Sequence, residues 1–206
     1  MKRALPTLAV LLIALTARAD DDPDLQRMRF IERTTSLTVT TKINKLFDTS
    51  AYDGLKSGFV TTIVVQTWVY PRSSNDPIAW TRDRRTAVYD PWDEVYTVRL
   101  CEKCKPQKVK VQSEAFKLHT EINDLPVAQL ADIPYEDIYY LALRADLNPM
   151  STETLTEVRR WLSQGTGGDR GGVFFGSFVS AFVNPKLANA DRVLRIRSQP
   201  FYRPRP

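Results

Sequence analysis

The sequence predicts an α+β fold: a mainly antiparallel β-sheet or sandwich of about seven strands with a few packed helices. Three observations carry that expectation. Leu37, Val39, Thr41 and Ile43 alternate with Thr38, Thr40, Lys42 and Asn44, the period of two that marks a half-buried strand. The run from Val60 to Tyr70 is apolar on both faces, with Val60, Val64 and Trp68 set against Ile63, Val65 and Val69. That predicts a central strand with a layer against each face. Between Trp80 and Val111, three strand-like stretches follow one another across short turns, the pattern of a meander.

The first nineteen residues read as an address. Lys2 and Arg3 precede an apolar run from Leu8 to Leu15, and Ala17-Arg18-Ala19 gives a small-x-small cleavage site before Asp20, so 1–19 is expected to be a signal peptide. The apolar run is shorter than the roughly 20 residues a spanning helix needs, and without cleavage the segment would serve as an anchor. Cleavage removes Lys2, Arg3 and Arg18, so Lys plus Arg falls from 29 to 26 against 24 acidic residues and the net charge from +5 to +2. An exported chain so nearly balanced gives little support to a nucleic-acid partner. The 187 residues left, 206 minus 19, suit one domain with its own core.

Residues 20–35 are expected to form a lead-in, opened by Asp20, Asp21, Asp22 and Asp24. Leu25, Met28 and Ile31 recur at helical spacing, yet Met28 and Phe30 also alternate with Arg29, so the sequence assigns this short stretch to neither class. The domain proper is expected over 36–201. Asp48, Thr49 and Ser50 offer N-caps for a short helix over Ala51 to Lys56, stopped by Gly58. Pro71 to Pro77 is a turn. Trp80 to Tyr89 and Val95 to Cys101 are strands joined by Asp90-Pro91-Trp92-Asp93, and Lys108 to Val111 follows the Cys-Glu-Lys-Cys turn.

From Ser113 to Ile133 the pattern predicts helical or irregular structure, with strand character returning at Ile138 to Leu147. Ser151 caps a helix whose stripe is Leu155, Val158, Trp161 and Leu162. A glycine-rich linker follows at 165–172, then an apolar helix over 173–183 ended by Asn184-Pro185. Arg192 to Arg197 is the expected last strand, and 202–206 should fray.

Few residues point to chemistry. The glycine segment lacks the Lys-Ser or Lys-Thr that closes a phosphate loop, and Arg170 breaks the dinucleotide fingerprint. His119 is the only histidine and has no nucleophile motif beside it, so it reads as a surface or capping residue. No catalytic residue, cofactor or metal site is nominated; one cysteine pair and one histidine do not make a zinc site.

Cys101 and Cys104 suit a disulfide across a turn in an oxidising compartment, or a redox pair. Arg82, Arg84 and Arg85, joined by Arg99, Lys108 and Lys110, are candidates for a basic face toward anionic lipid or an acidic partner. Phe174, Phe175, Phe178 and Phe182 are partner-binding candidates on the 173–183 helix, where Gly172, Gly176 and Ser180 permit close approach. The same four rings also suit a buried core helix.

The alternating early strand, Phe59-Val-Thr-Thr-Ile-Val-Val-Gln-Thr-Trp-Val-Tyr, Tyr89-Asp-Pro-Trp-Asp-Glu-Val-Tyr-Thr-Val and Arg197-Ser-Gln-Pro-Phe resemble a bacterial exported family described only as domain of unknown function 4390. The resemblance covers about Ser36 to Phe201. It implies export and, because some relatives are encoded beside membrane sensor histidine kinases, an envelope signalling partner. It supplies no catalytic residues, and the cysteine pair and the glycine-rich segment depart from its pattern. The expected function is that of an exported, periplasmic, non-catalytic envelope protein binding a protein or lipid partner, with peripheral membrane contact as one form of it. The alternatives are a thiol-disulfide protein using Cys101 and Cys104, and a structural envelope component.

Overall fold

The computed structural model describes residues 23–149 and 190–205. It is a two-layer α+β structure built on a large sheet with strand order β1-β10-β9-β4-β5-β6-β7, in which β11 also pairs with β9. A small sheet of β2, β3 and β8 packs on it. In chain order the strands are β1 (Asp24–Gln26), β2 (Arg29–Glu32), β3 (Ser36–Lys42), β4 (Thr61–Pro71), β5 (Ala79–Asp90) and β6 (Val95–Arg99). After them come β7 (Gln107–Val109), β8 (Glu121–Gln129), β9 (Ile138–Leu147), β10 (Arg192–Ser198) and β11 (Phe201–Tyr202). The helices are α1 (Thr49–Gly54) and α2 (Gln112–Thr120).

The central strand is where the sequence places it. β4 lies between β5 and β9, antiparallel to both. Ile63, Val65 and Val69 are buried and meet Leu141, Leu143 and Leu147 of β9, Ile196 of β10, and Leu37, Val39, Ile122 and Val127 of the small sheet. A second cluster lies under the far half of the large sheet, where Ala87, Tyr96 and Val98 pack on Leu55 and on Ala115 of α2. The small sheet and α2 thus divide the inner face between them. The opposite face of β4 differs from the expected fully covered strand: Val64 is buried, but Thr62, Gln66, Trp68 and Tyr70 are only half-buried among the described residues.

Several local features follow the expected chemistry. The carboxylate of Asp48 accepts the Ala51 N–H at 2.8 Å and caps α1. Ile78 N–H returns to the carbonyl of Val69 and closes the Pro71–Pro77 turn. The meander of β5, β6 and β7 stands as predicted.

Other stretches correct the expectation. The stretch between Leu25 and Arg33 is neither helix nor lead-in: it carries β1, which pairs in parallel with β10, and β2, which pairs with β3. The second half of Ser113 to Ile133 is a strand, β8, hidden in the sequence by Asn123, Asp124 and Pro126. These poor strand formers are tolerated because β8 has a partner, β3, on one side only, and the ladder shifts register twice. Asp124 itself takes a positive φ of 50°. Among the described residues there are eleven strands; those beyond the expected seven are β8 and the short β1, β2 and β11. The tail does not simply fray: Phe201 and Tyr202 pair with Tyr139 and Ile138, and Arg203 is buried. The expected signal peptide, the Ser151 helix, the glycine-rich stretch and the 173–183 helix with Phe174, Phe175, Phe178 and Phe182 lie outside the described residues.

Candidate functional site

Strand alternation and register together compose the outer face of the large sheet, the face turned away from the small sheet. Side chains two apart on a strand share a face, and paired residues on neighbouring strands stand side by side at about 4.8 Å. One row across β5, β4, β9 and β10 therefore reads Arg82, Gln66, Arg144, Arg195. The next row toward the start of β4 reads Arg84, Val64, Asp146, Val193, and the row on the other side reads Trp80, Trp68, Ala142, Arg197. Beyond Trp68, Tyr70 stands beside Tyr140. Arg99 on β6 and Lys108 on β7 extend the same face along the meander.

This face is cationic at its centre and aromatic at one end. Arg82, Arg84 and Arg197 are exposed. The single acid in the three rows, Asp146, is held by Arg144 at 2.9 Å. At the aromatic end the rings of Tyr70 and Tyr140 stack at 5.2 Å, and the Arg197 guanidinium lies 4.2 Å from the Tyr140 ring centre. Tyr140 is thus enclosed between a ring and a cation, and Arg197 is fixed over the sheet with donors to spare. Asn148 closes the corner where β9 leaves the sheet: its backbone and side chain exchange hydrogen bonds with Thr62, and its amide donates to Asp191.

A cleft of about 780 Å³ opens beside this corner, bordered by Thr62, Arg82, Arg84, Cys101, Lys103 and Asn148. Cys101 and Cys104 are joined in a disulfide with their Cα atoms 5.0 Å apart. The Cys104 N–H donates to the Cys101 carbonyl at 3.1 Å, so the bridge spans one hydrogen-bonded turn between β6 and β7.

Of the three arginines read together in the sequence, only two share this face. Arg85 projects to the other side of β5 and is 4% exposed, its guanidinium donating to the carbonyls of Leu118 and Glu121 at 2.6 and 2.8 Å. The reason is the period of two: Arg84 and Arg85 are consecutive and must point oppositely. His119 is likewise no surface residue. It is fully buried where α2 turns into β8, and burial together with the nearby Arg85 cation pushes its pKa down to about 3. Burial raises the Asp83 carboxyl above the usual range.

Sequence reading missed Gln66, Arg144, Arg197 and the aromatic set. Alternation in β9 and β10 places Tyr140, Ala142 and Arg144 on one face, and Arg195 and Arg197 on one face. The pairing that joins those faces to Arg82 is a matter of long-range register. Among the described residues, no three His, Cys, Asp or Glu side chains are grouped to hold a metal ion. No helix of these residues is long and apolar enough to cross a membrane. No protein-family model, curated protein or solved structure matches the chain.

Proposed function

We propose that this chain is an exported, non-catalytic envelope protein that binds an anionic partner, protein or lipid, through the outer face of its large sheet. The observation that carries the reading is the row Arg82, Gln66, Arg144, Arg195, with Arg84 and Arg197 in the flanking rows. Arginine guanidinium groups present fixed forks to carboxylate or phosphate, and a flat array of them matches a surface rather than a small molecule. The same charge count argues against a mere solubilising edge, because the cations lie across interior strands and not only on the rim. The resemblance to the exported family directs the search toward an envelope signalling protein.

The test is capture in intact cells of the source. With a photocrosslinking residue at Gln66, the expected result is one dominant envelope adduct that is lost in Arg82→Glu/Arg144→Glu. Capture unchanged by the charge reversal, or no capture at all, would reject the reading.

A thiol-disulfide protein is the second reading. It is favoured by one observation, the position of Cys101 beside Arg82, Arg84 and Lys103, cations that would favour a thiolate. Against it, the pair stands in a turn between strands and not at a helix start. A structural envelope component would leave the arginine face without a ligand, so the same capture experiment separates it.

A further inference from the structure

The first strand sets where the chain enters the arginine face. β1 lies on the edge of the large sheet and runs parallel to β10, with Asp24 beside Ile196, Leu25 beside Arg197 and Gln26 beside Ser198. Alternation then fixes the sides. Leu25, 79% exposed, shares the outer face with Arg197, while Asp24 pairs with Lys45 at 2.8 Å and Gln26 donates to Thr41 on the other face. The same register, continued one position back, brings Pro23 next to Arg195 on the outer side.

Asp20, Asp21 and Asp22 come immediately before Pro23, the first described residue. Three consecutive carboxylates therefore enter at the end of the row Arg195, Arg144, Gln66, Arg82. Proline has no N–H to continue the ladder and holds the residue before it extended. Three extended residues reach at most about 10 Å, and strands stand about 4.8 Å apart, so the acids can pass over β10 and as far as β9. That is the half of the row where Arg195, Arg144 and, one row on, Arg197 gather. On the other face at this flank, Lys45 and Arg192 already hold Asp24 and Asp48. Neighbouring carboxylates repel one another, and the outer face sets a cluster of cations within their reach.

Granted the anion-binding face, on which this inference rests, we propose that Asp20, Asp21 and Asp22 lie over β10 and occupy the near half of the arginine row, so that an anionic partner must displace them. The contact is a built-in competitor. The tethered carboxylates offer Arg195 and Arg144 the same chemistry as an acidic partner, at the effective concentration that a short tether provides. Arg82 and Arg84 on β5 stand four strand spacings from β1, about 19 Å, beyond the reach of the three acids. A partner that also engages those two arginines therefore displaces the acids, whereas a small or sparsely charged anion competes poorly.

Two measurements on the protein purified from its source test this. A photocrosslinking residue in place of Asp21 is expected to form an intramolecular crosslink to β10 or β9, with a yield that falls severalfold in Arg195→Gln/Arg197→Gln. No such crosslink, or one of unchanged yield in the arginine variant, overturns the inference and leaves the face able to bind anions. In the second, a fluorescein-labelled oligoglutamate peptide should bind Asp20→Asn/Asp21→Asn/Asp22→Asn about tenfold more tightly than wild type at low salt. In an Arg195→Gln/Arg197→Gln background the same three substitutions should change affinity by less than about twofold. Asp93→Asn/Glu94→Gln/Glu114→Gln removes as much negative charge from exposed positions on the β5–β6 turn and α2, and should also gain less than about twofold. A gain there equal to that of the Asp20–Asp22 variant reports general repulsion and overturns the inference, as does equal binding by wild type and the Asp20–Asp22 variant. Peptide binding by neither, with the crosslink present, rejects the anion-binding reading itself and the competition with it.

Discussion

Arg85 and His119 share one buried site between β5 and the end of α2, and at neutral pH only the arginine is charged. Burial lowers the Arg85 pKa to about 10, which still leaves it protonated, while His119 is held neutral with its pKa near 3. One guanidinium nitrogen of Arg85, Nη2, ties the last turn of α2 to the first residue of β8 by donating to two carbonyls. Both ring nitrogens of His119 and the Arg85 Nε have no hydrogen-bond partner among the described residues.

Arg85→Ala should therefore be among the costly single substitutions. It leaves the carbonyls of Leu118 and Glu121 without their donor and opens a cavity, a loss of about 3 kcal/mol in urea unfolding. Arg84→Ala, one residue away on the exposed face, should change stability by less than about 0.5 kcal/mol. Equal effects of the two would contradict the assignment of faces.

Stability should fall in acid through His119. The unfolded imidazole takes up a proton near 6.5 and the buried one only near 3, so between those values the unfolded state binds more protons. Stability from this residue is fully present above about 6.5 and is lost as the pH falls toward 3. His119→Phe removes the titration and, with Phe47 at 6.0 Å, meets aromatic surroundings. The variant should be close to wild type at neutral pH and show a flatter unfolding profile from pH 6 to 4.

Periodicity made β3, β4, the meander, β9 and β10 legible, because each carries an apolar alternation that only a strand satisfies. For β4 the apolar run marked the strand but not its buried face, because Val60, Val64 and Trp68 read as apolar as Ile63, Val65 and Val69, and only the last three are all buried. The sequence failed where tertiary pairing overrides local preference. β8 contains Pro126 and Asp124 and exists because β3 accepts it in a shifted register. β1 has three residues and no pattern to read. The candidate site was half legible: Arg82 and Arg84 were visible as charge, while Arg144 and Arg197 joined them only through long-range pairings, Arg144 with Gln66 78 positions earlier and Arg197 with Ala142 55 positions earlier. Arg85 was misplaced because three nearby arginines were read as a patch and not as an alternation.

Arg203 anchors the tail more firmly than its position, with three residues after it, suggests. Its guanidinium donates to the carbonyls of Leu130 and Ile133 and to Glu32 at 3.0 Å, and it lies 4.0 Å from the Tyr135 ring centre. Lysine cannot reproduce that fork or the stacking. Arg203→Lys should cost about 2 kcal/mol in chemical denaturation, and removal of residues 203–206 at least as much. A truncated chain as stable as the full one would show that the tail is ornamental to the fold.

The Cys101–Cys104 bridge yields the sharpest separation of the two functional readings. A staple closing so short a loop constrains few unfolded conformations, so its loss in Cys101→Ser/Cys104→Ser should cost only about 1–2 kcal/mol. As a staple, it also predicts that each single serine variant leaves a lone thiol with no habitual target, and that capture at Gln66 survives in the double variant. A thiol-disulfide protein behaves differently: a single variant that retains the attacking cysteine accumulates mixed disulfides with other exported proteins, visible on a non-reducing gel. Discrete adducts in Cys101→Ser or Cys104→Ser would transfer the function from the arginine face to the turn, whereas a clean gel with retained capture leaves the bridge a structural closure beside the binding surface.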